Sequence, residues 1–360
     1  MNKVLFTGGG SAGHVSVNVA LIPEFKKNGY KISYIGSKKG IEKEMIEKIP
    51  DIKYYAISSG KLRRYFSWEN FVDPFKVLKG IIDSILILKK EKPDFVFSKG
   101  GFVSVPVCIA AKFLKIPVVL HESDLTPGLA NKINIKFCNH IFTTFEDTIK
   151  YLPNGKASLI GAIVRDDIYS GEKEKGYEFT GFNEEKPVIL VMGGSLGSKI
   201  LNDYIWNSIS ELVEKYQIIH LVGKGLINDN IVVQGYRQYE FLSKELFDAF
   251  QITDFTISRA GANALYEFLA LEIPAILVPL GINQSRGDQI ENAKFFEKNN
   301  FSKVIFEEEF VDLDLTEIDE FYNNLDQYKK SMIEYKKEKK VINNVIDFYK
   351  KILNIVGVRK

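Results

Sequence analysis

The 360-residue chain holds only two cysteines, Cys108 and Cys138, neither in a CxxC pair nor at Cys/His ligand spacing. That excludes a disulfide scaffold and a zinc finger, and both thiols read as reduced packing residues of a cytosolic chain. Neither sign of charge is in excess, since 48 Lys and Arg meet 46 Asp and Glu for a net charge of +2. Nothing global therefore points to nucleic acid, and an electrostatic partner must be sought in local patches. No apolar run approaches the roughly 20 residues that span a bilayer; the longest candidate, residues 81–88, is broken by Asp83 and Ser84. Met1-Asn2-Lys3 leads straight into a short strand, with no stretch of signal-peptide length. The expectation is a two-domain protein that stays inside the cell and is not integral to a membrane.

What the chain has instead is glycine in turns between strands and helices. Residues 3–7 run into Gly8-Gly9-Gly10-Ser11-Ala12-Gly13-His14, and residues 188–192 run into Gly193-Gly194-Ser195-Leu196-Gly197-Ser198. Such turns let backbone amides and a helix N-terminus face an anion, because glycine has no Cβ to block close approach. Short β-branched runs at 31–35, 95–98, 118–121 and 140–143, and again at 188–192, 218–222, 231–234, 255–258 and 275–279, read as buried parallel strands with helices between them. The fold class is α/β, two doubly wound domains joined near residues 161–165. From Leu315 the chain turns helical and charged, and Val341, Val345, Phe348, Ile352 and Val356 form a stripe suited to docking on a domain surface.

Gly8, Gly10 and Gly13 have the GxGxxG spacing of a dinucleotide fingerprint. The second strand, however, ends Ile35-Gly36-Ser37-Lys38-Lys39, without the acid that would hold a ribose, which opposes NAD and leaves only Lys38 in favour of NADP. In the second half, the segment from Ser258 to Glu267 again follows a strand and opens a helix. Glu267 suits the two hydroxyls of a ribose whose phosphates sit at that helix start; the alternative is a surface Glu favoured by the helix dipole. Asp288 and Gln289 place a carboxylate and an amide side by side after strand 275–279, as the vicinal hydroxyls of a hexose would require. His140 and His220 read as packing residues, and His121 lacks HExxH spacing.

Together these motifs resemble those of the MurG glycosyltransferases, which pass N-acetylglucosamine from UDP-N-acetylglucosamine to the 4-hydroxyl of the muramoyl sugar of lipid I. The family's first loop resembles Gly9-Gly10-Ser11-Ala12-Gly13-His14, its second Lys99-Gly100-Gly101-Phe102-Val103-Ser104 and its third Gly193-Gly194-Ser195-Leu196-Gly197. His121-Glu122-Ser123-Asp124, Gly128-Leu129-Ala130-Asn131-Lys132 and residues 259–267 extend the likeness over nearly the whole chain.

The resemblance implies a GT-B fold, two Rossmann-like domains facing across a cleft. Residues 1–163 would bind acceptor and membrane, 164–338 the UDP-sugar, and 339–360 would form a helix returning to the N-terminal domain. It implies a donor site with Arg165, Ser195, Ala262 and Asn263 at the diphosphate, Glu267 on the ribose and Gln289 on the sugar, with Ser11 and Asp288 as further donor-binding residues. The acceptor diphosphate would lie on Gly10, Ala12, Gly13, Gly100, Gly101 and Phe102. His14 and Asp124 are the catalytic candidates, His14 as base or as diphosphate anchor, Asp124 as base or as the cap of the helix after Pro127. The sequence departs from the enterobacterial pattern where Asp124 replaces Asn, Asp288 Gln, Phe102 Tyr and Asn263 Leu.

No cofactor or metal is implied, because Arg165, turn amides and helix dipoles can meet the charge of the departing diphosphate. A lipid-linked acceptor calls for a membrane face, and residues 62–90 offer one: Phe66, Trp68, Phe71, Phe75, Leu78, Ile81, Ile82, Ile85 and Leu86 alternate with Arg63, Arg64, Lys76, Lys79, Lys89 and Lys90. Such a stripe suits anionic lipids on the cytoplasmic side of the cell membrane, or a helix packed on its own sheet. Two other enzymes of this fold stay open, a UDP-sugar-dependent glycolipid synthase and a UDP-N-acetylglucosamine epimerase, as does a non-catalytic membrane adaptor that binds a sugar nucleotide.

Overall fold

The computed structural model describes residues 2–11, 13–60, 69–164, 166–194, 197–282, 287–339 and 342–357. The chain divides into two compact units, Met1–Ile163 with Asn343–Lys360, and Val164–Ile342.

The first unit runs β1 (Lys3–Thr7), α1 (Gly13–Lys27), β2 (Lys31–Ser37), α2 (Ile41–Glu47), β3 (Lys53–Ile57), α3 (Glu69–Glu91), β4 (Phe95–Ser98), α4 (Ser104–Phe113), β5 (Val118–Glu122), α5 (Leu129–Asn134), β6 (His140–Thr143), β7 (Ala157–Leu159) and β8 (Ala162–Ile163). The second runs α6 (Lys173–Thr180), β9 (Val188–Met192), α7 (Lys199–Lys215), β10 (Gln217–Leu221), β11 (Tyr236–Tyr239), α8 (Glu245–Ile252), β12 (Phe255–Ser258), α9 (Ala262–Leu271), β13 (Ala275–Leu277), α10 (Asp288–Lys298), β14 (Ser302–Val304), α11 (Glu307–Phe310), α12 (Leu315–Asn323) and α13 (Leu325–Lys339). Last come β15 (Ile342–Asn343) and α14 (Val345–Val356).

Both large sheets are parallel, in the orders β3-β2-β1-β4-β5-β6-β7 and β11-β10-β9-β12-β13-β14. Strands buried on both faces read as unbroken apolar runs, and Val4–Phe6 and Ile189–Val191 are at most 1% exposed. In each sheet the direction of winding reverses between the first strand and the one that crosses over it, β1 beside β4 and β9 beside β12. Ligands of doubly wound sheets bind beyond the strand ends at that reversal. The Thr7↔Ser98 and Met192↔Ser258 pairs mark those two places.

Most expected strands agree with the structure to within two residues at either end. The exception is 231–234, which is not a strand; β11 begins at Tyr236, after Gly235 at φ 84°. The apolar run misled because Val232 faces solvent, while Gln238 Nε2 donates to the Asn228 carbonyl (2.7 Å) and ties the preceding segment into a turn. Polar or very short β3, β7 and β14 were not expected. The C-terminal stripe docks as an amphipathic helix: Phe348, Tyr349, Ile352 and Leu353 of α14 enter the core around Phe6, Phe25 and Phe97, with Tyr349 edge-on to Phe25 at 4.7 Å between centroids. Val341 lies outside the described residues.

Candidate functional site

The first two glycine turns form one cradle. They leave β1 and β4, which are neighbours, and Gly9 N–H donates to the Gly100 carbonyl (3.3 Å). Gly100 and Gly101 take φ of 96° and 81°, and a Cβ on Gly101 would overlap the Gly9 carbonyl oxygen, so only glycine lets the loops meet. Around Gly10 (φ 93°) nothing lies within 4 Å of a Cβ position, which leaves its outer side open to a ligand. The rear of the cradle is tied down by Tyr34 Oη donating to the Gly8 carbonyl (2.7 Å) and Asn18 Nδ2 donating to the Thr7 carbonyl (3.1 Å). His14 sits in the first turn of α1, its Nδ1 3.0 Å from Ser11 Oγ. Gly13 opens that helix, Phe102 is half-buried beyond Gly101, and Ala12 lies outside the described residues.

One residue with no sequence signal of its own completes this turn. Glu42, in the first turn of α2, is fully buried; its Oε2 accepts the Gly10 N–H (3.2 Å), and its Oε1 accepts the Ser37 N–H (2.9 Å) and hydroxyl. The structure thus brings to the end of β2 the acid that the strand itself lacks. Its oxygens are engaged within the protein, so this acid does not reopen the dinucleotide reading. The only hint in the sequence is the run of small residues, Gly36, Ser37 and Gly40, that makes room for it.

Beside the second turn, β5 ends in His121-Glu122-Ser123-Asp124. Glu122 accepts the Asp124 N–H (3.0 Å), the Gly128 N–H (3.0 Å) and Asn131 Nδ2 (2.9 Å). This corrects the capping alternative for Asp124: Gly128 is the N-cap of α5, and the carboxylate holding that start is Glu122. Asp124 is half-buried, and Thr148 Oγ1 donates to its carbonyl (3.3 Å). Lys99 is fully buried with its ammonium on the Ser123 hydroxyl; desolvation depresses its pKa, opposed by Glu122 and Asp124. Burial, with the Lys99 charge beside it, holds His121 well below the usual imidazole range. His14, Gly100–Phe102 and Asp124 therefore follow three adjacent strands, β1, β4 and β5.

In the second unit the turn after β9 has the same design. Gly194 (φ 88°) has open space around its Cβ position, whereas a Cβ on Gly197 (φ 76°) would overlap the Val222 carbonyl oxygen. An uncharged relay supports it: Trp206 Nε1 donates to Tyr236 Oη (3.0 Å), Tyr236 Oη lies 3.0 Å from His220 Nδ1, His220 Nε2 lies 3.0 Å from Asn202 Oδ1, and Asn202 Nδ2 donates to the Val222 carbonyl (3.0 Å). Desolvation lowers the His220 pKa to about 3, which keeps the ring neutral. Ser198 caps α7 by accepting the Leu201 N–H (3.5 Å). Ser195 and Arg165 lie outside the described residues.

Beside that turn, β12 leads through Gly261 into α9. Gly261 has no side chain to cap the helix and open space where one would be, so the first-turn amides near Ala262 and Asn263 suit an anion. Asn263 and Glu267 lie one turn apart on the same side of α9, both half-buried. Arg259 is pinned inward, with Nη2 2.6 Å from Glu307 and Nη1 donating to the Val278 carbonyl (3.0 Å), while Glu307 Oε2 accepts the Gly281 N–H (3.1 Å). That clamp ties the end of β12 to residues 278–281, just beyond β13. Asp288 and Gln289 open α10 rather than sit in a loop; consecutive helical residues diverge by about 100°, and Gln289 Oε1 accepts the Leu280 N–H (3.1 Å).

The apolar residues of α3 serve two faces. Asp73, Gly80, Ser84 and Leu88 are buried and Ile85 packs on the core, whereas Phe75, Leu78, Ile82 and Leu86 are each more than half exposed. Arg63, Arg64, Phe66 and Trp68 lie outside the described residues, as does the side chain of Phe71. No described helix is long and apolar enough to cross a membrane.

Residues 4–143 match the model of the glycosyltransferase family 28 N-terminal domain and residues 188–346 that of its C-terminal domain. A UDP-N-acetylglucosamine–N-acetylmuramyl-(pentapeptide) pyrophosphoryl-undecaprenol N-acetylglucosamine transferase of Staphylococcus saprophyticus is 57% identical over 356 residues, 96% of this chain and 99% of the relative. The enzyme of the same name in Staphylococcus aureus is 61% identical over 312 residues, 86% and 88% of the two chains. Among solved structures, MurG of Acinetobacter baumannii superposes with a TM-score of 0.74 at 23% identity, covering 98% of this chain and 100% of that one. The fold is that of the GT-B glycosyltransferases, and the chain belongs to the MurG family.

Proposed function

We propose that this chain is an inverting glycosyltransferase that moves N-acetylglucosamine from UDP-N-acetylglucosamine to the 4-hydroxyl of the muramoyl sugar of lipid I, giving lipid II. The observation that carries this reading is the pair of glycine cradles, one at the winding reversal of each sheet, in a chain so similar to transferases of that name. A donor and an acceptor that both carry diphosphates call for two such cradles. An epimerase acting on one UDP-sugar has no use for the joined loops of the first unit.

In the proposed reaction the acceptor hydroxyl attacks the anomeric carbon, its proton passes to a base, and UDP leaves from the opposite face. The composite cradle of Gly10, Gly13, Gly100, Gly101 and Phe102 takes the acceptor diphosphate. The start of α9, with Arg165 and Ser195, takes the donor diphosphate, Glu267 the ribose, and Asp288 and Gln289 the sugar. His14 is the base we favour over Asp124, because the enterobacterial pattern has Asn at the latter position and an amide cannot accept the proton. At the α1 N-terminus the dipole favours the neutral imidazole a base must have. The reading includes no cofactor or metal, a point that an assay with chelator present checks.

The exposed stripe of α3, with Lys76, Lys79, Lys89 and Lys90 on the same helix and Phe113 exposed on the neighbouring α4, supports peripheral binding to an anionic membrane surface on the cytoplasmic side. Replacing Phe75, Leu78, Ile82 and Leu86 with Ser is expected to reduce sedimentation with phosphatidylglycerol vesicles at least fivefold while sparing activity on a short-chain acceptor. Ile81 and Ile85 are less suitable targets, being half-buried.

The primary test is transfer of radiolabelled N-acetylglucosamine from its UDP donor to a short-chain lipid I analogue, with UDP-galactose and diacylglycerol as controls. Labelled product from the lipid I analogue alone is the expected result. Labelled diacylglycerol, or donor turnover without acceptor, would reassign the chain to another enzyme of the fold.

A further inference from the structure

Glu42 takes no part in the chemistry above, yet the first glycine turn is built around its carboxylate. A fully buried negative charge is costly unless its oxygens are paired, and here Gly10, the Ser37 amide and the Ser37 hydroxyl pair them. Space is cleared by glycine on three sides. A Cβ on Gly9 would lie 2.6 Å from Oε1, one on Gly36 2.9 Å from Cγ, and one on Gly40 would overlap the carboxylate.

The peptide unit that Glu42 holds is also the one that joins the loops. The Gly10 N–H and the Gly9 carbonyl belong to the same planar group, so fixing one end fixes the other. At one end is the Glu42 carboxylate; at the other is the carbonyl oxygen against which Gly101 packs. Because the charge of Glu42 opposes that of an anionic ligand, its contribution to such a site is geometric.

We propose that Glu42 is a positioning residue of the acceptor site, setting through the Gly9–Gly10 peptide plane how the first and second glycine loops meet. The inference rests on the reading of those loops as the cradle of the acceptor diphosphate. It predicts that a change at Glu42 is felt in the use of acceptor and not in the use of donor, which the second unit binds.

The test is steady-state kinetics of Glu42→Gln, Glu42→Ala and Gly10→Ala with UDP-N-acetylglucosamine and a short-chain lipid I analogue. Glu42→Gln keeps the volume but turns one accepting oxygen into a donor; it is expected to raise the acceptor KM at least tenfold with the donor KM within twofold and kcat within threefold. Glu42→Ala is expected to do at least as much, and if it does not fold the Gln variant decides alone, with donor affinity as the measure of intact structure. An acceptor KM within twofold of the parent, or a parallel rise in both KM values, overturns the role of Glu42. Gly10→Ala puts a methyl on the open side of the cradle. If it leaves the acceptor KM unchanged, the cradle reading fails and takes this inference with it; if it raises that KM while Glu42→Gln does not, the Glu42 inference alone fails.

Discussion

In the first unit the peptide ahead of Gly10 is gripped by a buried carboxylate, whereas in the second the carbonyl that meets Gly197 is held by a chain of neutral groups, from Trp206 through Tyr236 and His220 to Asn202. Both supports have the same purpose, to bring a neighbouring carbonyl onto a glycine with positive φ. Charge-assisted bonds are the stronger and the more demanding of their surroundings, while this neutral relay works only if His220 keeps one tautomer. The comparison also separates two duties of glycine. Gly101 and Gly197 are glycine because a backbone oxygen lies where a Cβ would be, and Gly10 and Gly194 are glycine in turns that leave that space open.

The sharpest break between the units is functional. His14→Ala is expected to lower transfer by about a thousandfold, within the range of lost acid–base catalysis, with UDP affinity within twofold by calorimetry. Loss of UDP binding instead would place His14 with the donor. Next come the close-packed glycines: Gly101→Ala and Gly197→Ala should each destabilise by at least about 2 kcal/mol, through overlap with a carbonyl at positive φ. The first should impair acceptor use and the second UDP binding, so equal effects on both ligands would erase the distinction drawn between the units. Glu267→Ala should weaken UDP binding roughly tenfold, about 1.4 kcal/mol, without altering the affinity for a lipid I analogue.

The pH dependence of stability tests the neutral relay. His220 has its pKa lowered from 6.5 to about 3, so between those values the unfolded chain binds a proton that the folded chain refuses. Stability is then fully present above pH 6.5 and falls as the pH drops through that window, by up to about 1.4 kcal/mol per pH unit for one such group. His220→Gln should flatten the acid limb of urea midpoints followed by Trp206 fluorescence in a Trp68→Phe background. An unchanged acid slope would show that the ring is already charged in the fold.

Much of the fold was legible because parallel strands covered on both faces must be apolar throughout, as at residues 95–98 and 188–192. Strands at the margins were not: Lys53–Ile57 carries polar and half-buried residues, and 231–234 is apolar without being paired. Of the site, the glycine turns and the residues directly after strands could be read, since chain order alone puts them at strand ends. Glu42, the Arg259–Glu307 clamp and the His220 relay could not, because each joins residues 18 or more apart in chain order, through contacts that only folding creates. Gln289 shows the converse: its type suits a sugar, yet its amide oxygen is occupied by Leu280.

The docking of α14 bears on how the molecule is made. Phe348, Tyr349, Ile352 and Leu353 belong to the core of the unit whose other residues end at Ile163. A ribosome therefore finishes the whole second unit before it releases the residues that close the first. During synthesis the unit carrying the first two glycine loops waits with Phe25, Phe97 and Phe142 uncovered by their last partner, and the domain begun first is the one completed last.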